Sequence, residues 1–303
     1  MGVSVSLLNP LKKCLTYLVL SGANKWTSPY NLERRPEPEV SDEAEQVAHY
    51  DRVMETSMAV VYGVSLELIC RILRTPKSGQ RIVDLCCGPG QFTRLLGKSF
   101  PDCEVHGLDL SPPMLECLRK NLPAAFAHCE NMIEAPSLVR EGFELITAMN
   151  CLHHLPDQKD VGKALKTMED LSSAEGVIFV TDPLRLKNQW QTNLYTDTYG
   201  MKGRPDFSLF HRDFELSMAA AWTADELVSC LPSPAKKSWH LMIPFGVPVM
   251  GILVGIPRER GQHLFVDEIQ SPLKVHSLIP KEFRTDFQML KRALKLGTTR
   301  KIT

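Results

Sequence analysis

Residues 83–92 read Val-Asp-Leu-Cys-Cys-Gly-Pro-Gly-Gln-Phe, a short apolar strand pattern that runs into a loop with two glycines. Gly88 and Gly90 let the backbone adopt conformations closed to other residues and pass close to a ligand. The pattern at 91–96 is helical, so the loop lies at a helix N-terminus, which carries partial positive charge. A strand, loop and helix in this order predict a ligand site at the carboxyl edge of a sheet.

The rest of the chain alternates between strand and helix patterns. Predicted strands are the apolar, β-branched runs at 81–85, 104–110, 143–149 and 176–180. Alternation of this kind predicts a mostly parallel sheet covered by helices on both faces. Two later apolar runs, 238–243 and 249–256, flank a Pro-Phe-Gly turn and predict an antiparallel strand pair. The fold class expected is therefore α/β, Rossmann-like and doubly wound.

Two acidic residues narrow the class of ligand. Asp84 lies inside the end of the first strand, and Asp109 ends the second strand, nineteen residues after Gly90. A carboxylate at the position of Asp109 suits the ribose hydroxyls of an adenosine. A dinucleotide loop would carry glycine or alanine where Thr93 stands, and a pyrophosphate has no use for Asp84. A ligand with an adenosine and an ammonium group therefore fits both acids better than a dinucleotide does.

Three longer motifs surround these residues. They are DLCCGPGQFTRLL (84–96), FPDCEVHGLDLSPPML (100–115) and ELITAMNCLHHLPD (144–157). They resemble class I S-adenosylmethionine-dependent methyltransferases of the ubiquinone/menaquinone-methyltransferase type, over about residues 45–256. The resemblance implies a seven-stranded, mostly parallel sheet, S-adenosyl-L-methionine as cofactor, and methyl transfer to a small, partly apolar acceptor. Cys86 replaces the first glycine of the family's loop.

The resemblance also implies cofactor contacts, residue by residue. Those expected for the methionine part are Asp84, Cys86, Gly88, Pro89 and Gly90. Those expected for the adenosine are Asp109 at the ribose, Leu110 on adenine, and Asn131 with Met132 at the adenine edge, Glu130 being the alternative to Asn131. Ala148 is expected beside the sulfonium, and Tyr50 is expected to cover the cofactor.

Methyl transfer from a sulfonium is an in-line displacement that needs chiefly positioning and exclusion of water. A base is required only where the acceptor must lose a proton. His153 and His154 follow the fourth strand and are candidates for that base, since the pKa of histidine lies near neutral. The alternative is that one of them packs beneath the sheet edge or caps the next helix.

The segment after the fifth strand, about 184–222, is the expected acceptor lid. Seven of the chain's 22 aromatic residues lie between 190 and 222. Candidate acceptor contacts in and beside this segment are Asp182, Trp190, Tyr195, Tyr199, His211 and Arg212. An aromatic mini-core that packs the segment onto the sheet is an equal alternative, because aromatic residues dominate cores and sites alike.

Composition excludes several other classes of protein. Lys and Arg total 35, as do Asp and Glu, and this zero net charge argues against a nucleic-acid partner. No run approaches the roughly 18 apolar residues of a membrane span, so no integral membrane contact is expected. Nine cysteines without any CxxC pair predict no metal site and a reducing compartment. A cytoplasmic enzyme acting on a small molecule is the expectation.

The two ends are expected to lie outside the methyltransferase domain at 41–260. Residues 1–40 predict a loosely ordered arm, whose acid-free start (1–32) is also typical of an organellar transit peptide.

Residues 261–303 predict an extension with a basic amphipathic helix at 281–296. Residues 274–303 carry a net charge of +6. The helix either packs on its own domain or contacts a partner or membrane surface. A second functional hypothesis is a catalytically inactive, cofactor-binding module that regulates a partner through this helix.

Overall fold

A computed structural model describes residues 10–26, 32–37, 47, 51, 53–54, 58–74, 76–138, 142–200, 202–203, 205–261, 263–266 and 275–303. These residues build one mixed sheet. Its strands are β1 (Arg81–Leu85), β2 (Glu104–Asp109), β3 (Phe126–Cys129), β4 (Phe143–Met149), β5 (Ser172–Pro183), β6 (Lys237–Ile243), β7 (Met250–Pro257) and β8 (Thr298–Lys301). Their order across the sheet is β3-β2-β1-β4-β5-β7-β6-β8. The first five strands are parallel, and β7, β6 and β8 are joined through antiparallel pairs.

The strand order reverses at the centre of the sheet. After β1 the chain adds β2 and β3 on one side, and then β4 and β5 on the other. Leu85, the last residue of β1, lies opposite Ala148 of β4. In doubly wound sheets ligands bind at such a reversal, outside the carboxyl ends of the strands. The glycine loop after β1 therefore lies at the expected ligand site.

Helices cover both faces of the sheet. They are α1 (Pro10–Trp26), α2 (Ala59–Ile72), α3 (Gln91–Ser99), α4 (Pro112–Asn121), α5 (Gln158–Leu171), α6 (Gln189–Tyr199), α7 (Ser208–Ala220), α8 (Ala224–Ser229), α9 (Val275–Leu278) and α10 (Arg284–Leu296). One core joins α2, α3 and α10 to the sheet around Phe92 and Phe287. A second core joins α5 to the opposite face around Trp239 and Met168. The predicted α/β layering is confirmed.

Capping side chains mark the beginning of two helices. The Ser111 hydroxyl accepts a hydrogen bond from the Met114 amide at 3.4 Å, with Pro112 opening α4. Thr223 and Glu226 form a reciprocal capping box at α8. Gly63 lies inside α2, where a Cβ would come within 2.3 Å of the Ile279 side chain. It is a packing glycine.

The sheet has eight strands where seven were expected. The additional strand, β8, consists of four exposed residues and pairs antiparallel with β6, with His240 opposite Lys301. Its sequence, Thr-Thr-Arg-Lys, lacks the apolar alternation that identifies a strand with one buried face. Only pairing with β6 makes it a strand.

Two parts of the expected N-terminal arm are described: residues 10–26 form helix α1, and residues 32–37 have no regular secondary structure. Helix α1 lies against α6, with the Thr16 and Thr198 hydroxyl oxygens 3.2 Å apart and the Tyr17 and Tyr199 rings 5.1 Å apart. Lys13 also forms an ion pair with Asp286. Residues 1–9 lie outside the described part.

Among the helices that the structure does describe, none combines the length and apolar character of a membrane span.

Helix α10 packs on its own domain. Phe287 is fully buried, and Phe283, Leu290 and Leu294 are at least nine-tenths buried beside α2. The expectation of a partner or membrane surface at 281–296 therefore does not hold for the apolar face of this helix. Burial of that face within the chain is the more stable arrangement, since packing supplies most helix stability.

Candidate active site

The loop after β1 is shaped by three residues in the left-handed backbone region. Their φ angles are +52° at Cys86, +54° at Gly88 and +87° at Gly90. A Cβ added to Gly90 would lie 2.4 Å from Leu118 Cδ1, whereas one added to Gly88 would meet no described atom within 4 Å. Gly90 is thus required for packing as well as for backbone conformation. Gly88 faces open space, where a ligand can approach the main chain.

Asp109 connects this loop to the end of β2. Its Oδ2 accepts a hydrogen bond from the Gly88 amide at 2.8 Å, and its Oδ1 accepts one from the Ser111 amide at 2.9 Å. The carboxylate therefore fixes the glycine loop and the start of α4 together. It remains partly exposed at the sheet edge, as a ribose-binding carboxylate must be.

Asp84 lies beneath the loop and is only 1% exposed. Thr93 Oγ1 donates to its Oδ2 at 2.8 Å, and Thr147 Oγ1 donates to its Oδ1 at 2.7 Å. Burial raises the pKa of Asp84 to about 6, and the charge of Asp109 adds to that rise. Asp84 is thus enclosed directly beneath the glycine loop, and its contact with the methionine part of a cofactor stays a prediction.

The residues expected at the adenosine lie around one edge of the sheet. Leu110 is 65% exposed directly after Asp109. Asn131 is exposed, and its Oδ1 accepts from the Ile133 amide at 2.9 Å; the alternative, Glu130, accepts from the Ser137 amide at 3.1 Å. The side chains of Met132 and Ala148 are buried in the core and are not presented at the surface. Tyr50 lies outside the described residues.

A cluster of ionisable side chains lies beyond the ends of β4 and β5. His153 is buried, and its Nδ1 is 3.0 Å from Asp182 Oδ1. The side chain of His154 is 46% exposed, and its Nδ1 is 2.6 Å from Glu37 Oε2. The other oxygen of Glu37 lies 3.8 Å from His153 Nε2. We call Glu37, His153, His154 and Asp182 the rim cluster.

All four side chains of the rim cluster have shifted pKa values, to which both burial and the charges within the cluster contribute. Burial, with the nearby charge of His154, lowers the pKa of His153 well below 6.5, and burial raises the pKa of Asp182 well above 3.8. Burial alone would raise the pKa of Glu37, but its hydrogen bond and ion pair with His154 bring it to about 2. Burial alone would lower the pKa of His154, but Glu37 raises it above 6.5. Glu37 and His154 therefore form an ion pair, and of the two histidines only His154 reaches the surface.

Arg34 brings Glu37 to this cluster. Its guanidinium donates to the backbone carbonyls of His153, Leu155, Pro156 and Ala220 at 2.7–2.9 Å. The same group stacks on the Trp222 ring, 3.6 Å from its centroid. Trp222 Nε1 in turn donates to Leu152 O at 2.9 Å. Segment 32–37 is thus clamped over the loop that carries both histidines.

Sequence reasoning missed both Arg34 and Glu37. They lie more than 110 residues before the histidines, in a stretch rich in charge and proline that is typical of a linker. Nothing in the local pattern indicates a partner so distant along the chain. Only the doubled arginine, in an otherwise linker-like segment, offered a weak signal.

The six residues predicted to line an acceptor pocket are not brought together. Tyr195 and Tyr199 pack in an aromatic cluster with Tyr17 and Phe214, in which neighbouring rings lie 4.9–5.5 Å apart. His211 Nδ1 is 3.0 Å from Gly200 O, at the end of α6. Trp190 is 48% exposed and Arg212 is exposed, while Asp182 is buried behind His153.

Helix geometry explains this separation. Trp190 lies five residues before Tyr195, which places the two side chains about 140° apart around α6. Packing buries the tyrosine face against α1, so the tryptophan faces outward. The mini-core alternative therefore describes the positions of Tyr195, Tyr199 and His211. Trp190 and Arg212 lie exposed and apart from them, and their contact with an acceptor stays a prediction.

The glycine loop and its surroundings suit S-adenosylmethionine. Open space at Gly88 leaves room beside the main chain, and the Asp109 carboxylate lies within hydrogen-bonding distance of that loop. Leu110 presents an exposed apolar surface next to the carboxylate, as an adenine ring requires. Asp84 and Asp109 provide negative potential near a cation. The residues present thus fit the cofactor.

Comparisons with known proteins agree with this geometry. Residues 82–176 match the model of a family described as a methyltransferase domain. The chain is 39% identical over 114 residues to a trans-aconitate 2-methyltransferase of Methylobacterium radiotolerans, which covers 37% of this chain and 42% of that relative. It is 27% identical over 211 residues to the Rhodopseudomonas palustris protein of the same name, covering 64% of this chain and 73% of the relative. The first match thus spans less than half of the relative's length.

Solved structures show the same fold. The plantazolicin methyltransferase BamL, in complex with a triazolic desmethylPZN analog and SAH, matches with a TM-score of 0.55 and 13% identity, over 83% of this chain and 100% of that chain. The related BpumL in complex with SAH gives a TM-score of 0.53 at 14% identity, over 83% and 99% of the two chains. The ubiquinone/menaquinone subtype finds no support among these matches. In its sheet order, its glycine loop and these similarities, the chain resembles the class I S-adenosylmethionine-dependent methyltransferases.

Proposed function

We propose that the chain transfers the methyl group of S-adenosylmethionine to a small, partly apolar acceptor by in-line displacement. The observation that carries this proposal is the pair of hydrogen bonds by which Asp109 joins the Gly88 amide to the start of α4, at the point where strand order reverses. This arrangement holds a glycine loop open beside a carboxylate. The trans-aconitate methyltransferases and the SAH-bound structures support the reaction class.

Each part of the loop has a proposed task. Asp109 would accept hydrogen bonds from the ribose hydroxyls, and Leu110 would pack on adenine with Asn131 or Glu130 at its edge. The main chain of Cys86–Gly90 would hold the methionine part, with the charge of Asp84 beneath it. S-adenosylmethionine supplies a methyl group on a sulfonium, which is already a good leaving group. Positioning and exclusion of water are thus the protein's main contributions.

A base contributes only for an acceptor that must lose a proton. His153 is enclosed by the chain, whereas His154 reaches the surface. We therefore propose His154 as the candidate proton acceptor for such substrates, acting in the neutral form that it takes above its raised pKa, when its ion pair with Glu37 is lost. A carboxylate acceptor would need neither histidine.

The charges of the rim do not select the acceptor. Several relatives are named for trans-aconitate, a tricarboxylate. In the described part of the rim, Arg34 donates to four backbone carbonyls, and two carboxylates, Glu37 and Asp182, lie close by. Arg34 is held by these carbonyls and Glu37 is paired with His154, so neither charge is free to select an acceptor, and trans-aconitate is the reference acceptor for comparison.

Calorimetry with S-adenosylhomocysteine tests the proposal first, because binding does not depend on knowing the acceptor. Folded protein should bind it at a ratio of one to one, and the absence of binding would overturn the proposal. S-adenosylhomocysteine release is then measured with trans-aconitate and with a panel of monocarboxylates and phenols. Binding without turnover on every acceptor would favour the inactive regulatory module.

A further inference from the structure

Three side chains of the rim cluster can act together as metal ligands. Glu37, His153 and His154 each offer one ligand atom, and these atoms all lie within 4.8 Å of one another. The histidines are neighbours in the turn Leu152–His154, and their ring centroids lie 4.2 Å apart. Glu37 approaches from a different part of the chain. Such a set can close around an ion that neither segment could hold alone.

One ligand atom has no partner of its own. Glu37 Oε1 is buried and makes no hydrogen bond to any described residue, and the glutamate side chain is only 9% exposed. It faces His153 Nε2 at 3.8 Å, too far for a hydrogen bond between them. An unsatisfied buried carboxylate oxygen is costly. A cation placed between the oxygen and the ring nitrogen would satisfy both.

His153 is oriented in the way that metal-binding histidines are. Its Nδ1 lies 3.0 Å from Asp182 Oδ1, so the carboxylate holds the ring through the nitrogen that points away from Glu37. A histidine ligand normally donates its other ring N–H to a carboxylate or carbonyl, which fixes the tautomer and the ring orientation. Arg34 fixes the opposite side by clamping the segment that carries Glu37.

We infer that Glu37, His153 and His154 bind one divalent transition-metal ion, with Asp182 as the positioning residue behind His153. Two imidazoles and one carboxylate suit Zn²⁺ or Co²⁺ better than Mg²⁺ or Ca²⁺, which prefer oxygen ligands. The exposed side of His154 gives the ion a path from solvent. This site shares His154 with the proposed proton acceptor but contains no residue of the glycine loop. A metal-bound His154 would not also accept a proton, so metal content separates this role from that of a base.

The test is binding of Zn²⁺ and Co²⁺ to chelator-treated, full-length protein without a histidine tag. One Co²⁺ per chain should bind, with visible absorption bands of low-symmetry coordination, and Zn²⁺ should compete for the same site. Zn²⁺ should also raise the melting temperature, because an ion that binds only the folded state stabilises it. S-adenosylhomocysteine binding to the same sample shows whether the cofactor site is intact, so failure of either proposal is seen separately.

Variants show which residues hold the ion. Glu37→Ala should abolish binding, and Asp182→Asn should weaken it about 10- to 100-fold while the stoichiometry stays at one. Glu215→Gln is the matched control, because Glu215, His211 and Asp197 form a second, separate cluster of possible ligands. Binding that survives Glu37→Ala, binding lost in Glu215→Gln, or no binding by folded protein at 100-fold excess of ion would each overturn the inference and leave an ordinary ion pair.

Discussion

Asp109 accepts a hydrogen bond from the backbone amide of Gly88 across 2.8 Å, which joins the end of the second strand to the loop after the first. The same carboxylate holds the Ser111 amide at the start of α4. One side chain therefore fixes both the loop and the helix that flank the proposed cofactor site. Loss of this side chain would remove the proposed ribose contact and both backbone hydrogen bonds that hold the loop and the helix.

Asp109→Ala is expected to abolish measurable S-adenosylhomocysteine binding. Two amides lose a charged acceptor, at about 1.5–3 kcal/mol for each such hydrogen bond, in addition to the proposed ribose contact. Isothermal titration calorimetry measures the effect, and circular dichroism checks the fold. Asp102→Ala, at an exposed carboxylate before β2, is the control and should bind normally. Unchanged affinity in Asp109→Ala would contradict the assigned cofactor site.

Asp84 should make cofactor binding depend on pH near 6. Its pKa in the unliganded fold is raised to about 6 by burial, so it is largely protonated at pH 5 and ionised at pH 7. The ammonium of S-adenosylhomocysteine favours the ionised carboxylate, and affinity should therefore rise by about tenfold from pH 5 to pH 7. Asp84→Asn should flatten this rise in calorimetric titrations, while Asp102→Asn should retain it.

The same group gives the unliganded protein a stability change of opposite sign. Because the folded pKa of Asp84 lies above its ordinary value of 3.8, the folded state binds more protons than the unfolded chain between about pH 4 and pH 6. Its contribution to stability is thus present at low pH and falls as the pH rises through this window. Urea unfolding of wild type and Asp84→Asn at pH 4.5 and pH 7 should show the difference shrinking or reversing in favour of the variant at pH 7.

Cys86 occupies a left-handed backbone position, and glycine should be preferred there over alanine. Both Cys86→Gly and Cys86→Ala remove the thiol, but only alanine keeps the strain of φ +52°, which is about 1–2 kcal/mol. Glycine should therefore be the more stable variant by about 1 kcal/mol in urea unfolding, after its entropy cost is included. Equal stability, or an advantage for alanine, would show that this loop conformation is wrong.

Gly88 and Gly90 form a matched pair for testing the loop. Both have positive φ, but a Cβ at Gly90 collides with Leu118, whereas one at Gly88 enters open space. Gly88→Ala should cost about 1–2 kcal/mol of backbone strain, and Gly90→Ala should cost a further 1–3 kcal/mol from overpacking. Thermal unfolding ranks the two. If cofactor passes close to Gly88, that variant should nevertheless lose much of its affinity.

Local sequence predicted what local chemistry controls. Serine before two prolines began α4, and threonine three residues before glutamate began α8, because capping depends on residues within one turn. Two glycines and two acids at fixed spacing predicted that the loop after β1 holds the cofactor. Strand β8 escaped prediction, because its polar residues become a strand only through pairing with β6. The rim cluster escaped for a similar reason, since Glu37 meets the histidines only after folding.

The sequence by itself determined the alternating strands and helices, the glycine loop and the carboxylates beside it, since periodicity, backbone freedom and charge at short spacing are all written in neighbouring residues. Tertiary structure alone decided which face of the aromatic segment is buried and which distant carboxylate meets each histidine. Those choices depend on contacts between segments far apart in the chain, such as Arg34 on Trp222 and Tyr17 on Tyr199. These contacts form because they bury apolar area and satisfy buried polar groups, and both effects require the whole chain to be packed.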